Sequence, residues 1–278
     1  LASRTLQRRI RWRVATMKLM LRFVRPGPAW TYGRIYRSLW TIDEHASQLL
    51  VARCKAEGAS VFSALAIACM LAFRKVCSAK QIRKFEAPVD IRRYLPNLRS
   101  DSLFAIAPTV ILSLDRLRGV DPEAADFWTM ARALKRDMTA RMDRLESTVY
   151  VSFLGMEQMH DVYERMVVYS QSKRAGRQVS LSYVGKLDLK QDYHHFRLEE
   201  ICDISAMMTP TPANLVAMYS FAGKFHFSHS SDESSLPYTQ ALAIKEQVIA
   251  TLRGCVAGLT TPVAISVGAS PRAGAEAS

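Results

Sequence analysis

The six histidines are the first candidates for proton transfer or metal binding, because imidazole changes its charge near neutral pH. His226 and His229 lie three residues apart in a segment that is predicted to form a strand, so their side chains point to opposite faces of a sheet. This spacing makes a poor metal pair, and we expect both residues at the surface or at the edge of the core. His45 and His160 have no partner close in sequence.

The other reactive residues form no common catalytic or metal-binding motif. The sequence contains no GxSxG elbow, no P-loop, no GxGxxG after a strand and no HExxH. The cysteines are odd in number and include no CxxC pair, which argues against a disulfide framework or a zinc ribbon. We therefore expect reduced, buried thiols in a cytoplasmic protein, with no metal and no bound cofactor.

Composition and charge restrict the class of protein. With 278 residues, of which 49% are hydrophobic and 23% charged, the chain can bury a sizeable core, which excludes collagen and wholesale disorder. Ten of the 38 Lys and Arg residues lie within residues 1–40, whereas the first acid is Asp43. The net charge of +13 is thus mostly local, and we expect no specific nucleic-acid partner for the rest of the chain.

The basic N-terminal segment is also amphipathic. Its apolar residues recur at steps of three and four and predict a helix over residues 4–25, namely Leu6, Ile10, Val14, Met17, Leu21 and Val24. Pro26 ends that helix, since proline has no N–H to donate. Three interpretations are open: a surface helix packed on the body, a helix lying on an anionic membrane surface, or an organellar transit peptide.

Three further helices are predicted before residue 145. The first covers residues 43–57, with a capping box of Thr41 and Glu44 and a left-handed stop at Gly58. The second covers residues 61–76, where the apolar run is too short to cross a bilayer and suits a buried core helix. The third runs to about residue 142 from Asp121 as N-cap, with Pro122 at the first helical position.

Segments predicted to form strands alternate along the chain with the predicted helices. Apolar or alternating segments predict strands over residues 85–91, 104–114, 179–184, 215–221 and 224–228. The strand over 104–114 is almost wholly apolar, so we expect it to be central. A tight turn at Ala222-Gly223 joins the last two strands, residues 147–177 are expected to be helical in part, and a final helix covers residues 236–256.

Alternating helices and strands predict an α/β fold with a mixed β-sheet and helices packed on it. We divide the chain into a basic helix and linker (1–40), a main lobe (41–258) and a disordered tail (259–278).

The order of several short segments adds a family resemblance. The segments are Glu57-Gly58-Ala59-Ser60-Val61, Pro88-Val89-Asp90-Ile91-Arg92, Asp126-Phe127-Trp128, Ser182-Tyr183-Val184-Gly185 and the closing hairpin with its helix. In this order they resemble the C-terminal half of the CoA-dependent acyltransferase superfamily. That superfamily includes alcohol O-acetyltransferases, plant acyltransferases with an HXXXD motif, wax-ester synthases and peptide-synthetase condensation domains. The resemblance covers most of residues 40–258.

The resemblance implies a chloramphenicol-acetyltransferase-like half that meets a second half at a tunnel. In the family, a histidine in an HHxxxDG motif of the first half is the general base. The resemblance therefore implies that this histidine lies upstream of Leu1 and that the chain is inactive alone. His194-His195 with Glu199 has a superficially similar form. However, it follows the Ser182 segment and its acid is glutamate, so we interpret it as a strand or loop histidine pair.

The resemblance also assigns candidate site residues. Ser182 matches the serine of the family's SNxG segment and would donate its hydroxyl to an oxyanion, the alternative being an incidental serine at a strand end. Tyr183 stands where the family has Asn. Tyr183, Gly185 and Lys186 would contact substrate, with Lys186 or Arg177 near CoA phosphates. Arg92 would be a buried structural charge paired with Asp90, since residues i and i+2 share a strand face.

The first functional hypothesis is therefore the C-terminal lobe of an acyltransferase. It would move an acyl group from acyl-CoA, or from a carrier-protein thioester, to an alcohol or amine acceptor, together with an N-terminal half that carries the histidine. The basic helix over residues 4–25 would touch CoA or a membrane surface. The alternative is a non-catalytic partner-binding protein with the same half-fold, and a third hypothesis is nucleic-acid binding by residues 1–40.

Overall fold

The computed structural model describes residues 4–23, 28, 31–77, 82, 84–95, 98–99, 107–146, 155, 158–170, 178–205 and 213–257. The predicted disordered tail, the start of the predicted strand over 104–114, and Arg177 lie outside the described residues.

Six helices and eight strands are described. The helices are α1 (Arg4–Phe23), α2 (Glu44–Ala56), α3 (Val61–Val76), α4 (Phe127–Glu146), α5 (His160–Ser170) and α6 (Tyr238–Val256). The strands are β1 (Ile35–Ile42), β2 (Lys84–Pro88), β3 (Thr109–Leu112), β4 (Gln178–Lys186), β5 (Asp192–Tyr193), β6 (Phe196–Arg197), β7 (Ala213–Phe221) and β8 (Lys224–Asp232). The predicted helices over 43–57, 61–76 and 236–256 and the last three predicted strands are confirmed. The helix predicted over 4–25 is confirmed for Arg4–Phe23, and residues 24–26, where it was expected to end, lie outside the described residues.

The main sheet has six strands in the order β1-β8-β7-β4-β2-β3, and β5 and β6 form a separate hairpin. Strand β4 runs parallel to both β2 and β7, while the other pairs are antiparallel. Parallel neighbours need crossover connections: the connection from β2 to β4 contains β3, α4 and α5, and the connection from β4 to β7 contains the β5–β6 hairpin. The predicted α/β fold with a mixed sheet and helices packed on it is therefore confirmed.

The core lies between this sheet and a layer formed by α2, α3, α4 and α6. Helix α3 is its centre, with Leu65, Ile67, Met70 and Phe73 almost fully buried, as the apolar run predicts. We call the side of the sheet that meets these helices the helix-covered face. Within the described residues, no single helix is long and apolar enough to span a membrane. Together α2 and α3 reach that length and composition, but they are bent by 106°.

Strand β3 corrects the expectation of a central strand over 104–114. It lies at the end of the sheet, paired with β2 alone among the described strands. Val110 and Leu112 are buried under the helices, while Ile111 is exposed on the other side. Because Ile111 on the exposed face is apolar as well, the sequence has the pattern of a strand that is buried on both faces. This pattern led to the wrong prediction of a central strand.

Helix starts differ from the predicted caps. Asp43, and not the predicted box of Thr41 and Glu44, caps α2: its Oδ1 accepts a hydrogen bond of 2.9 Å from the Ala46 N–H. Helix α4 begins after Asp126, which accepts from the N–H groups of Trp128 and Thr129.

Asp121 therefore caps only a short turn before α4, where it accepts from the Glu123 N–H. At both α2 and α4, two side chains that could cap the helix lie within a few residues of each other. We infer that packing of the helix on the sheet determines at which of them the helix begins.

Strand β1 was not predicted. It pairs with β8 from Ile35 to Ile42 and buries Tyr36 and Trp40 on the helix-covered face. The strand crosses the expected boundary between a linker ending at residue 40 and the main lobe, so residues 35–40 lie within the sheet. Apolar and polar residues do not alternate in this strand, since Ser38 is buried while Ile35 is exposed, and this hid the strand pattern in a basic segment.

The β7–β8 hairpin has the predicted turn, with positive φ at both Ala222 (49°) and Gly223 (78°). Both histidines of β8 are buried, which corrects the expectation of surface or core-edge positions. His229 packs between the rings of Tyr36 and Phe73, with centroid distances of 6.5 and 5.5 Å.

The cysteines also divide by burial. Cys54, Cys69 and Cys77 are buried as expected, whereas Cys202 is exposed.

The cap assignment at α2 gives a stability prediction. Asp43→Ala removes the acceptor for the Ala46 N–H and should lower the free energy of unfolding by about 1 kcal/mol. Thr41→Ala removes no cap hydrogen bond and should cost less. Urea unfolding of both variants measures the difference, and a larger loss for Thr41→Ala would show that the cap is assigned to the wrong residue.

The buried His229 gives a pH prediction. Burial lowers its pKa from 6.5 to about 4, so between these values the unfolded chain binds a proton that the folded chain does not. Stability should therefore fall as the pH drops from 6.5 to 4, with about 3 kcal/mol due to this residue. His229→Phe should remove that part of the loss in denaturant unfolding at both pH values. Substitution of the exposed His195 by Gln is the control, and an equal acid loss in parent and His229→Phe would refute the assignment.

Candidate functional site

Strand β4 forms the centre of the candidate site. Val179 and Leu181 are fully buried under the helices and anchor the strand between β2 and β7. Its pairing with β7 continues to Lys186, but its pairing with β2 ends at Ser180. If the parallel register between β2 and β4 continued, Pro88 would lie beside Ser182. Proline has no N–H to donate, so it cannot extend the hydrogen-bonded ladder with β4.

The second half of β4 therefore has a strand neighbour on one side only, among the described residues. This open edge lies at the carboxyl ends of parallel strands β2, β4 and β7, where ligands bind in open α/β sheets.

Gly185 bends the end of β4. Its φ is +87°, and the register with β7 shifts between Tyr183 and Gly185, so that Val184 is the extra residue of a bulge. In the part of the chain that the structure describes, no atom beyond its chain neighbours lies within 4 Å of the position that a Cβ would occupy. Gly185 thus adopts a backbone conformation that favours glycine, and the space beside it is open among the described residues.

Ser182 lies on the face of the sheet opposite the helices, because Leu181 and Tyr183 on either side of it point to the helix-covered face. It is half-buried and stands opposite Ala217 of β7, and its hydroxyl makes no hydrogen bond with any described residue. Its hydroxyl is therefore available to a ligand at the open edge.

Tyr183 lies on the helix-covered face and packs against Phe62 of α3, with ring centroids 6.2 Å apart. Burial raises its pKa above the ordinary value, so the phenol stays neutral. The structure therefore separates Tyr183 from Ser182 across the thickness of the sheet.

Lys186 lines a pocket of about 360 Å³ between α2 and the ends of β4, β7 and β8. Val51 and Ala52 of α2 and Phe221 and Phe225 of the hairpin form most of its apolar wall. The exposed ammonium group at an apolar pocket is suited to a ligand with an anionic head and an apolar or neutral arm. Lys186 pairs with Ser220 on the same face as Tyr183, so this pocket and Ser182 lie on opposite faces of the sheet.

Asp90 and Arg92 lie just after β2 and not on it. Asp90 Oδ1 accepts from the Arg92 N–H at 2.9 Å and lies 3.6 Å from its guanidinium. The expected pairing is present, but the Arg92 side chain is 43% exposed, so the expectation of a buried charge is wrong. The strand ends at Pro88, and the short 3₁₀ turn that follows turns both side chains outward.

The histidines divide into exposed and buried groups. His194 and His195 are exposed at the turn of the β5–β6 hairpin, which confirms a loop position. His226 is buried on the same face as Ser182, stacked on Tyr219 at 5.0 Å, with Nδ1 3.9 Å from Glu200.

Burial lowers the pKa of His226, so it is neutral at pH 7. The sequence alone does not reveal this environment of His226, because Glu200 is distant in sequence and belongs to no motif. In the part of the chain that the structure describes, no cluster of three His, Cys, Asp or Glu could hold a metal ion.

Comparisons with known proteins bear on this geometry. No protein-family model matches the sequence, and a search of curated proteins finds no match. Solved structures do match. A condensation domain that mediates chain release from the enacyloxin polyketide synthase shares 14% identity over 100% of this chain and 50% of its own, with a TM-score of 0.53. The TRI3 trichothecene 15-O-acetyltransferase from Fusarium sporotrichioides shares 11% identity over 90% of this chain and 54% of its own, with a TM-score of 0.54.

The chain has a condensation-domain and acyltransferase-like fold. The EpoB cyclization-docking bidomain from Sorangium cellulosum matches in the same way, with 13% identity over 92% of this chain and 49% of its own and a TM-score of 0.53. The chain thus spans about half the length of each of these three structures. At these identities the likeness describes the fold, and activity has to be argued from the site.

The bulge at Gly185 gives a prediction with a matched control. Gly185→Ala places a Cβ at φ +87°, so it should cost about 1–2 kcal/mol although the space beside it is empty. Gly254→Ala makes the same chemical change in helix α6, also in open space, and should stabilise the chain by about 0.5–1 kcal/mol. Thermal unfolding measures both, and equal effects would show that the conformation at Gly185 is not strained for alanine.

Proposed function

We propose that this chain acts as the C-terminal lobe of an acyltransferase, which transfers an acyl group from CoA or a carrier-protein thioester to an alcohol or amine. The observation that carries the proposal is the open edge of β4, where Ser182 presents a hydroxyl that no described residue binds, at the carboxyl ends of parallel strands. The acyltransferase-like fold supports the assignment of that edge to a substrate channel.

The chemistry divides between two lobes. The oxygen or nitrogen of the acceptor forms a bond to the thioester carbon, and its proton passes to a histidine of the N-terminal lobe. The carbonyl oxygen becomes an oxyanion, to which Ser182 donates a hydrogen bond from this lobe. The carbon–sulfur bond then breaks, and the thiol leaves with the proton that the histidine held.

The donor would occupy both faces of the sheet. Its anionic groups would lie near Lys186, at the pocket beside α2, while its thioester would reach Ser182 on the opposite face. The path between them passes the end of β4 at Gly185, where the absence of a side chain leaves open space. The resemblance implies that Tyr183 contacts the substrate. Its ring packs on Phe62 on the helix-covered face and would support β4 below this path.

The activity test needs both lobes. The chain is combined with an N-terminal lobe bearing the HHxxxDG histidine, encoded upstream of Leu1 or separately, and thiol release from acyl-CoA is followed with an alcohol or amine acceptor. The chain alone should release no thiol, and the combination should turn over. Ser182→Ala should then lower kcat by about 10²-fold through loss of an oxyanion donor.

Ser180→Ala is the matched control, since Ser180 is half-buried on the same strand and face but still lies beside β2. It should leave kcat nearly unchanged. Equal rates for the two variants would remove the oxyanion role from Ser182. Tight binding of the N-terminal lobe without thioester consumption would instead favour the alternative, a non-catalytic partner-binding protein.

A further inference from the structure

Helix α1 has two apolar sides, and within the described residues one of them packs on the protein while the other is exposed. Ile10 and Val14 are buried against Met159 and Val162, in a small cluster separate from the main core. At 100° per residue, the opposite side carries a second stripe, formed by Trp12, Leu19 and Phe23. These three side chains are 74%, 55% and 78% exposed. We call them the outer stripe.

Arginines flank the outer stripe on both sides. By the same helical spacing, Arg4, Arg11 and Arg22 lie along one flank, and Arg9 and Arg13 lie along the other. All five are exposed, and none forms an ion pair within the described residues. Helix α1 contains no acid, and its Lys18 is the cation that pairs, at 2.7 Å with Asp161.

We propose that α1 binds an anionic lipid surface, with the outer stripe inserted among the acyl chains and the flanking arginines on lipid phosphates. The stripe spans twelve residues, from Trp12 to Phe23, or about 16 Å of helix, and it can lie parallel to the surface because it runs straight along one side. Tryptophan and phenylalanine suit the membrane interface, and arginine can bury its stem while its guanidinium stays at the headgroups.

The order of residues around the helix favours lipid over a nucleic acid. A phosphodiester backbone would be held by the arginines alone and would leave the outer stripe in water. A stripe of three large apolar side chains between two rows of arginine fits a surface that is apolar inside and anionic at its boundary. The packed inner side keeps α1 on the protein while the outer side faces the bilayer.

The test uses the full chain and flotation with vesicles of phosphatidylcholine, with or without phosphatidylserine. Binding should require phosphatidylserine and weaken as salt is raised. The triple variant Trp12→Ser, Leu19→Ser, Phe23→Ser should reduce the vesicle association constant at least about tenfold. Because these side chains are exposed, circular dichroism should stay unchanged. The matched control is Tyr163→Ser, Val168→Ser, which removes exposed apolar side chains from α5 and should bind as the parent does.

Three results would overturn the proposal. Equal binding by the parent and the outer-stripe variant would mean that arginines attract phosphate without insertion. Binding of duplex RNA that competes with vesicles and survives the outer-stripe substitutions would favour a nucleic acid. Loss of vesicle binding when the N-terminal lobe is added would assign the stripe to the contact between lobes. None of these results depends on thiol release, so they leave the proposed acyl transfer to be tested separately.

Discussion

The parallel pairing of β4 is the constraint on which the architecture depends. Val179 and Leu181 fix this strand in the middle of the sheet by burying their side chains under the helix layer. Strand β4 pairs with β7 along its whole length, but its pairing with β2 ends at Ser180, opposite Glu86, and β2 itself ends two residues later at Pro88. A proline without an N–H thus opens one edge of a strand that is otherwise held at the centre of the fold.

The two faces of that strand then acquire different properties. The helix-covered face holds Tyr183 and, beyond the bulge at Gly185, the pocket beside Lys186. The opposite face holds Ser182. Segment 200–205 lies over other strands on this face: Ser205 contacts Ser228 of β8, and Asp203 pairs with Arg37 of β1. A ligand that uses both faces has to pass around the strand end, and the bulge leaves that passage free of side chains.

The N-terminal segment and the rest of the chain differ in charge and in how their polar groups are buried. The polar residues buried in the main sheet are mostly uncharged. For example, Ser231 Oγ donates a hydrogen bond of 2.7 Å to Asn214 Oδ1. Most of the net positive charge is confined to the N-terminal segment, where α1 packs on α5 and not on the main core. A basic, partly apolar helix can therefore contact another surface without disturbing the sheet.

Local signals in the sequence determined α1, α3, the end of β4 and the turn of the β7–β8 hairpin. Each depends on residues close in the chain: apolar spacing, an apolar run, and glycines that accept positive φ. Tertiary contacts decided that β1 joins the sheet, that β3 lies at its edge, that His229 is buried and that Arg92 is not. They also placed Ser182 and Lys186, four residues apart, on opposite faces. Such outcomes depend on which strands and helices meet, because burial and pairing are supplied by residues far away in the chain.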